Sequence, residues 1–85
     1  MDNNYLKYNV DFVIIQQGQP VASNCNEITF FNLGTAQANV ELVPLLQNQQ
    51  FKISGNIGEM CQTQFNISFT GTGTQLLLVI RKNYV

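Results

Sequence analysis

The chain has 85 residues, a formal net charge of -1, 45% hydrophobic residues and only 11% charged residues. Its length allows one domain, which we expect to span residues 1–85 with its ends engaged in assembly contacts. Without a basic footprint, nucleic-acid binding is not expected. The longest apolar run, Leu76–Ile80, is far below the ~20 residues of a membrane span. No basic segment precedes an apolar one at the start, so we expect no signal peptide and synthesis in a cytoplasm.

The polar part of the composition consists mainly of amides, because Asn and Gln make up roughly a quarter of the chain. Amides form hydrogen bonds without the desolvation cost of a full charge, so a surface rich in them is more easily buried against another protein. Interface cores are likewise depleted in charge. We therefore expect a protein packed against neighbours. Compositional bias from an AT-rich genome is the alternative explanation.

The first half of the chain alternates apolar and polar residues with period two, which predicts strands. The first strand spans residues 6–15 and places apolar residues on one face (Leu6, Tyr8, Val10, Phe12 and Ile14) and polar residues on the other (Lys7, Asn9 and Asp11). It has about ten residues against a usual five or six, so part of it is expected to pair outside the domain. Residues 16–20 form a turn, and residues 21–26 a loop or irregular edge. Strands at 27–33 and 38–43, joined by a short glycine-containing link, are predicted to form a hairpin.

The second half supplies the strand around which we expect the others to assemble. After Pro44, Leu45 and Leu46 are expected to cap the core. Two strands follow, at 51–54 with Phe51 and Ile53 inward and at 63–69 with Phe65, Ile67 and Phe69 inward. A hairpin turn at 70–74 leads into the last strand, 75–84, whose five consecutive apolar residues predict burial on both faces. Six strands with turns about every ten residues predict an all-β fold, a single small antiparallel β-sandwich or partly open barrel.

Residues that could carry chemistry are few. The chain has no histidine, the most versatile general base and metal ligand, and no cofactor or metal site is predicted. Neither Cys25 nor Cys61 has an evident base to activate it, and two cysteines do not make a closed zinc site. Buried, inert cysteines are the simpler expectation, and the sequence does not determine whether they meet in space. We therefore expect a protein that is not an enzyme.

Tyrosines near both ends provide the best indication of an assembly surface. Amphipathic tyrosines are favoured at interfaces because they combine a large contact area with a polar group. The alternative is that both terminal strands simply belong to the sandwich. The residues predicted to form an interface are Tyr5, Leu6, Tyr8, Arg81 and Tyr84.

A resemblance to a known group of proteins begins at Ile28. The stretch ITFFNLGTAQANVELVPLLQNQQFKISGNIGE contains N-x-G-T, L-x-x-x-Q and I-S-G-N-x-G-E between strands, and GTGTQLLLVIRKNY completes the pattern. It resembles small β-structured virion proteins of tailed bacteriophages, notably crAss-like phages, over residues 10–84. The resemblance implies a virion structural protein of the capsid auxiliary (decoration) type. It transfers no functional residue.

Three functions from different classes follow from these observations. The first is a capsid decoration protein, or alternatively a head-fibre or tail component, located in the virion. Its expected partners are the major capsid protein or other virion proteins and further copies of itself, with no nucleic acid and no membrane. The second is a carbohydrate-binding or adhesin module, which the lack of tryptophan disfavours. The third, an enzyme, has no residue set to support it.

Overall fold

The protein is described by a computed structural model that covers residues 5–85 and contains eight strands and no helix in that range. Residues 1–4 lie outside the described residues. The strands are β1 (Tyr8–Ile15), β2 (Gln19–Ala22), β3 (Glu27–Asn32), β4 (Gln37–Val40), β5 (Val43–Leu45), β6 (Gln50–Ile53), β7 (Gln64–Thr70) and β8 (Leu77–Tyr84).

The strands form two antiparallel sheets of four, consistent with a small β-sandwich, so the all-β prediction is confirmed. The first sheet has the order β1-β8-β3-β6, and the second has the order β2-β7-β4-β5. The observed number of strands is eight rather than six, because the expected loop at 21–26 contains part of the edge strand β2 and because a turn divides the predicted third strand.

The last strand has the central position predicted for it, since β8 pairs with β1 on one side and β3 on the other. Leu77 and Val79 are fully buried between the sheets. Leu78 and Ile80 point to the opposite, outer face and are only half-buried. The predicted burial on both faces is therefore complete on the inner face and partial on the outer one.

Aromatic side chains connect the inner faces of the two sheets. The fully buried Phe30 of β3 packs edge-on against Phe65 of β7, with ring centroids 5.1 Å apart, and stacks on Phe51 of its own sheet at 6.3 Å. The alternation predicted for these three strands is confirmed, because their inward residues are buried or pack against the core. The buried apolar cluster comprises Ile15, Val21, Cys25, Ile28, Phe30, Ala38, Val40, Leu45, Phe65, Ile67, Leu77 and Val79.

A buried asparagine ties the connection after β3 to the core. The Asn32 amide nitrogen donates to the carbonyls of Ala36 (2.9 Å) and Leu45 (2.8 Å), and its side-chain oxygen accepts from the Gly34 backbone (3.0 Å). Asn32 is 0% exposed. These hydrogen bonds fix the conformation of the link through which the chain crosses from the first sheet to the second. In this link the backbone of Gly34 packs closely against the backbone near Thr74 and Leu76.

Both predicted hairpins are wrong, because the two strands of each do not pair with each other. Strands β3 and β4 lie in different sheets, as do β7 and β8, so each short link crosses from one sheet to the other. The two glycine-containing links pack against each other, since the Ala36 backbone donates to Thr74 and the Thr74 backbone to the Thr35 hydroxyl. Turn residues predict a reversal of direction but do not specify whether the next strand pairs with the previous one.

The hairpin that does form joins β4 to β5 and interrupts the predicted strand 38–43. Val40 pairs with Val43, leaving Glu41 and Leu42 as a two-residue turn in which Glu41 has a φ of 53°. Leu42, predicted to continue the alternation, is 97% exposed at this turn. The expected capping of the core is half correct, because Leu45 is buried whereas Leu46 is 57% exposed.

The molecule is elongated, with principal extents of 56 × 21 × 15 Å. The β1–β8 ladder contributes to this length, since all eight residues of β1 pair with β8. At the open end of this ladder, where Tyr8 pairs with Tyr84, the inward positions hold Asn9 and Asn83 instead of apolar residues. The part of the chain from Tyr5 onward includes no helix long and apolar enough to cross a membrane.

Candidate assembly surface

The outer face of the first sheet carries a continuous apolar surface. Phe12 is 65% exposed and lies opposite Ile80, and Ile14 is 49% exposed and lies opposite Leu78. Leu78 in turn lies opposite Phe31 of β3, so apolar side chains follow one another across three strands. We call this surface the outer apolar patch. It consists of Val10, Phe12, Ile14, Phe31, Leu78 and Ile80.

The exposed area of this patch is in the range of functional surface patches on monomeric proteins. Aromatic side chains have areas of 150–250 Å², so the 65% exposed Phe12 contributes about 100–160 Å², and with Val10 and Ile14 the part of the patch on β1 is about 300 Å². The largest apolar patch on a typical monomer is about 300–600 Å² and is often functional. The outer apolar patch is therefore the strongest candidate for a binding surface in residues 5–85.

The backbone of β1 offers a second means of association, because β1 is an edge strand of the first sheet. The Val85 amide donates to the Lys7 carbonyl at 2.9 Å, which makes Lys7 and Val85 a hydrogen-bonded pair. Hydrogen-bonded and non-hydrogen-bonded pairs alternate along an antiparallel ladder. Residues 8, 10, 12 and 14 therefore direct their backbone N–H and C=O groups away from β8, towards solvent. An exposed edge of this kind is a template for an added strand.

Two of the predicted interface tyrosines lie together at the open end of the β1–β8 ladder. Tyr8 and Tyr84 are cross-strand partners whose rings meet edge-on, with centroids 6.0 Å apart. The Lys82 ammonium lies 4.5 Å from the Tyr8 ring centre and 5.1 Å from that of Tyr84, within range of a cation–π contact. This cluster borders the outer apolar patch, since Lys82 lies opposite Val10.

The remaining predicted interface residues divide into two groups. Tyr5 and Leu6 precede β1 and are 75% and 61% exposed. Arg81 instead faces the inside, where its guanidinium forms two hydrogen bonds with the Asp11 carboxylate, at 3.1 and 2.9 Å, and a third with the Ala22 carbonyl at 3.0 Å. Arg81 thus links the two sheets within the molecule, a position unlike the outward position of the tyrosines.

Sequence reasoning missed the residues that make the surface continuous. The alternation placed Phe12 and Ile14 on one face of the first strand, but it did not identify that face as the outer one. Val13 and Ile15 could have indicated the inward face, because both apolar residues lie on the inward side of β1. Leu78 and Ile80 were predicted to lie on a covered strand face, although both are half-exposed in the described residues.

Groups that could perform catalysis or hold a metal are sparse in this part of the chain. Among residues 5–85, no three His, Cys, Asp or Glu side chains come together as a potential metal site. An exposed ion pair between Lys52 and Glu27, 3.2 Å apart, crosses the outer side of the first sheet beyond the apolar patch.

The outer apolar patch, the free edge of β1 and the tyrosine–lysine cluster all lie on the first sheet and adjoin one another. No family model, no curated protein and no solved structure matches the chain.

Proposed function

We propose that this chain is a structural protein of a tailed-phage virion, of the capsid auxiliary (decoration) type, which binds the assembled shell in many copies. The outer apolar patch is the observation that supports the proposal most directly. A protein that acts by adhesion needs an extended, complementary surface rather than a reactive group. The resemblance to phage virion proteins is the reason for proposing the virion as the location.

The occupant proposed for the patch is the outward surface of the capsid protein. The patch is uncharged, and the groups at its border are amides, tyrosines and few ions, so burial requires little desolvation of charge. The part of the patch on β1, about 300 Å², is less than half of the roughly 800 Å² per partner of a standard interface. A single contact through the patch is therefore expected to be weak.

A second copy of the chain is the occupant proposed for the edge of β1. Antiparallel pairing about a two-fold axis at Asn9 places Lys7 opposite Asp11 of the second copy, which pairs opposite charges. The same register places Tyr8 opposite Val10 of the second copy and Leu6 opposite its Phe12, so apolar residues meet on the outer face. Pairing of two edges removes both from solvent, which is how edge strands avoid uncontrolled association.

Dimerisation and shell binding reinforce each other in this proposal. Two copies joined through β1 form one eight-stranded sheet, and their outer apolar patches become one surface of twice the size. Binding at the second site is then intramolecular, and linked sites bind more tightly than either alone by a factor of about 10²–10⁴. Many weak contacts can in this way stabilise a capsid.

The experiment for shell binding is co-sedimentation of the purified chain with particles of the virus that encodes it, after their own copies have been removed. We expect saturation at a fixed number of chains per capsid subunit. Phe12→Lys introduces a charge into the patch and is expected to reduce binding at least tenfold. Leu42→Lys is the matched control, since Leu42 is equally apolar and 97% exposed on the other sheet.

Location distinguishes the proposal from its alternatives. Immunogold labelling over the whole head is expected for a capsid decoration protein, whereas labelling confined to the tail or to isolated head fibres would transfer the same surface to those structures. Chain found only in the soluble fraction of an infected lysate would refute a virion role. Selective binding on a glycan array would then favour the adhesin.

A further inference from the structure

The two cysteines meet in a geometry that the function proposed above does not use. Cys25 follows β2 and Cys61 precedes β7, and the two residues form an isolated antiparallel bridge. The Cys25 amide donates to the Cys61 carbonyl at 3.2 Å, and the Cys61 amide donates to the Cys25 carbonyl at 2.7 Å. They are therefore directly opposed residues of a hydrogen-bonded pair, and their side chains leave the backbone on the same side.

This pairing meets the Cα separation that a disulfide requires. Directly opposed residues of such a pair have Cα atoms about 5.5 Å apart, inside the 4.4–6.8 Å range spanned by disulfides. Both thiols are free in the structure. We propose that Cys25 and Cys61 are a modification site, at which a low-molecular-weight disulfide oxidises the two thiols to a reversible intramolecular disulfide.

The two thiols differ in accessibility, which determines the order of the reaction. Cys25 is 0% exposed, whereas Cys61 is partly exposed and lines an open depression of about 390 Å³ together with Asn26, Gly55 and Met60. A small disulfide can approach the Cys61 sulfur from this depression. It cannot reach Cys25 without first displacing the core around it.

The acid–base properties of the two thiols agree with that order. A hydrogen bond from the Ser23 side chain, assisted by one from the Thr63 backbone, lowers the pKa of Cys61. Burial, with a smaller contribution from the facing Cys61, raises the pKa of Cys25. At neutral pH, Cys61 therefore supplies the larger fraction of thiolate, which is the attacking form.

The reaction balances in two exchange steps. The Cys61 thiolate attacks one sulfur of the reagent R–S–S–R, forming the mixed disulfide Cys61–S–S–R and releasing RS⁻. Cys25 then loses its proton and its sulfur attacks the Cys61 sulfur, so the second RS⁻ leaves as the protein disulfide forms. The protein gives up two electrons and two protons, and the reagent is reduced to two molecules of RSH.

The disulfide would join two connections between the sheets. Cys25 lies between β2 and β3, and Cys61 lies between β6 and β7, and both of these links pass from one sheet to the other. A covalent bond there would prevent the sheets from separating at this end of the sandwich. The oxidised protein is therefore expected to have a higher urea midpoint than the reduced one, and dithiothreitol should reverse the difference.

The test uses the whole chain and bis(2-hydroxyethyl) disulfide, an uncharged probe that the nearby Glu59 does not repel. Mass spectrometry is expected to show a loss of about 2 Da, and a non-reducing peptide map should join the Cys25 and Cys61 peptides. In Cys25→Ala, Cys61 should retain one hydroxyethylthio group, because the resolving thiol is missing. In Cys61→Ala, Cys25 should remain unmodified.

Any of three results on the wild-type chain would overturn the proposal. These are no reaction, stable hydroxyethylthio groups on one or both cysteines, and disulfide-linked dimers in place of the intramolecular bond. The wild-type measurement decides the matter even if a variant fails to fold. It is independent of particle binding, so its outcome leaves the proposed function untouched.

Discussion

Replacing Asn32 with leucine tests the claim that one buried amide holds the connection between the sheets. Leucine has a similar volume but cannot form the three side-chain hydrogen bonds made by Asn32. The Ala36 and Leu45 carbonyls would lose this donor inside the core, whereas the Gly34 amide keeps the Leu76 carbonyl as an acceptor at 3.0 Å. Each unsatisfied buried group costs about 1–3 kcal/mol, and added apolar burial returns about 1–2 kcal/mol. Because two carbonyls are left without this donor, we expect a net loss of about 1–4 kcal/mol.

This loss is large for so small a domain. At about 0.05–0.15 kcal/mol per residue, the total stability of the chain is on the order of 4–13 kcal/mol. Urea denaturation followed by far-ultraviolet circular dichroism measures the change, and with a slope of about 1–1.5 kcal/mol/M the midpoint should fall by about 1–3 M. A variant without a folded baseline would represent the upper end of the same effect.

The control is the same substitution at an asparagine whose side chain is not part of a buried hydrogen-bond network. Asn66 lies on β7 with its side chain exposed, so Asn66→Leu should change stability by no more than about 0.5 kcal/mol. If Asn32→Leu is destabilised by less than about 1 kcal/mol with an unchanged urea slope, the three hydrogen bonds do not hold the connection. The role assigned to Asn32 would then be wrong.

Three further expectations concern the core, the crossing and the thiols. Phe30→Ala should cost about 3–5 kcal/mol in urea denaturation, because it removes the ring that joins the sheets, and a loss below 1 kcal/mol would place the core elsewhere. Gly34→Ala should cost about 1–3 kcal/mol, because its Cβ would collide with the Thr74 carbonyl oxygen; equal stability would refute that close approach. Iodoacetamide should modify Cys61 at lower pH than Cys25, because the Cys61 pKa is lowered and that of Cys25 is raised; the reverse order, read by peptide mass, would contradict the assigned environments.

The edge of β1 provides a test of self-association. Val10→Pro removes an N–H that points away from β8, so the ladder inside the molecule stays complete while strand addition is blocked. Native mass measurement should show dimers of the wild-type chain and monomers of Val10→Pro. A wild-type chain that stays monomeric at high concentration, or a variant that still forms dimers, would exclude pairing through this edge.

The sequence was informative where alternation and burial coincide. Period two predicted the inward and outward residues of β3 and β7, and the unbroken apolar run identified β8 as the centre of a sheet. These inferences depend on local chemistry, because a strand with one buried face must alternate. The same reasoning could not determine which face of β1 is inward, since both of its faces carry apolar residues and only the position of the second sheet distinguishes them.

Pairing between strands was beyond what the sequence could provide. The links after β3 and β7 contain the glycines and polar residues of ordinary hairpin turns, yet each carries the chain to the opposite sheet. The difference arises from contacts distant in sequence, such as the packing of Gly34 against the chain near Thr74. The interface residues were predicted from their chemistry alone. Tyr8 and Tyr84 meet across the β1–β8 ladder, whereas Arg81 forms an ion pair within the molecule, and the interface itself stays a prediction.

The topology of the first sheet has a consequence for how the chain folds. The β1–β8 ladder joins segments about 70 positions apart, and β3 also depends on β8 for one of its two partners. Ladders with such large sequence separation give a high contact order, which slows folding because long loops must close before their contacts form. During translation the first sheet can only be completed once β8 has left the ribosome. Until then β1 remains an apolar strand without a partner, vulnerable to aggregation or in need of a chaperone.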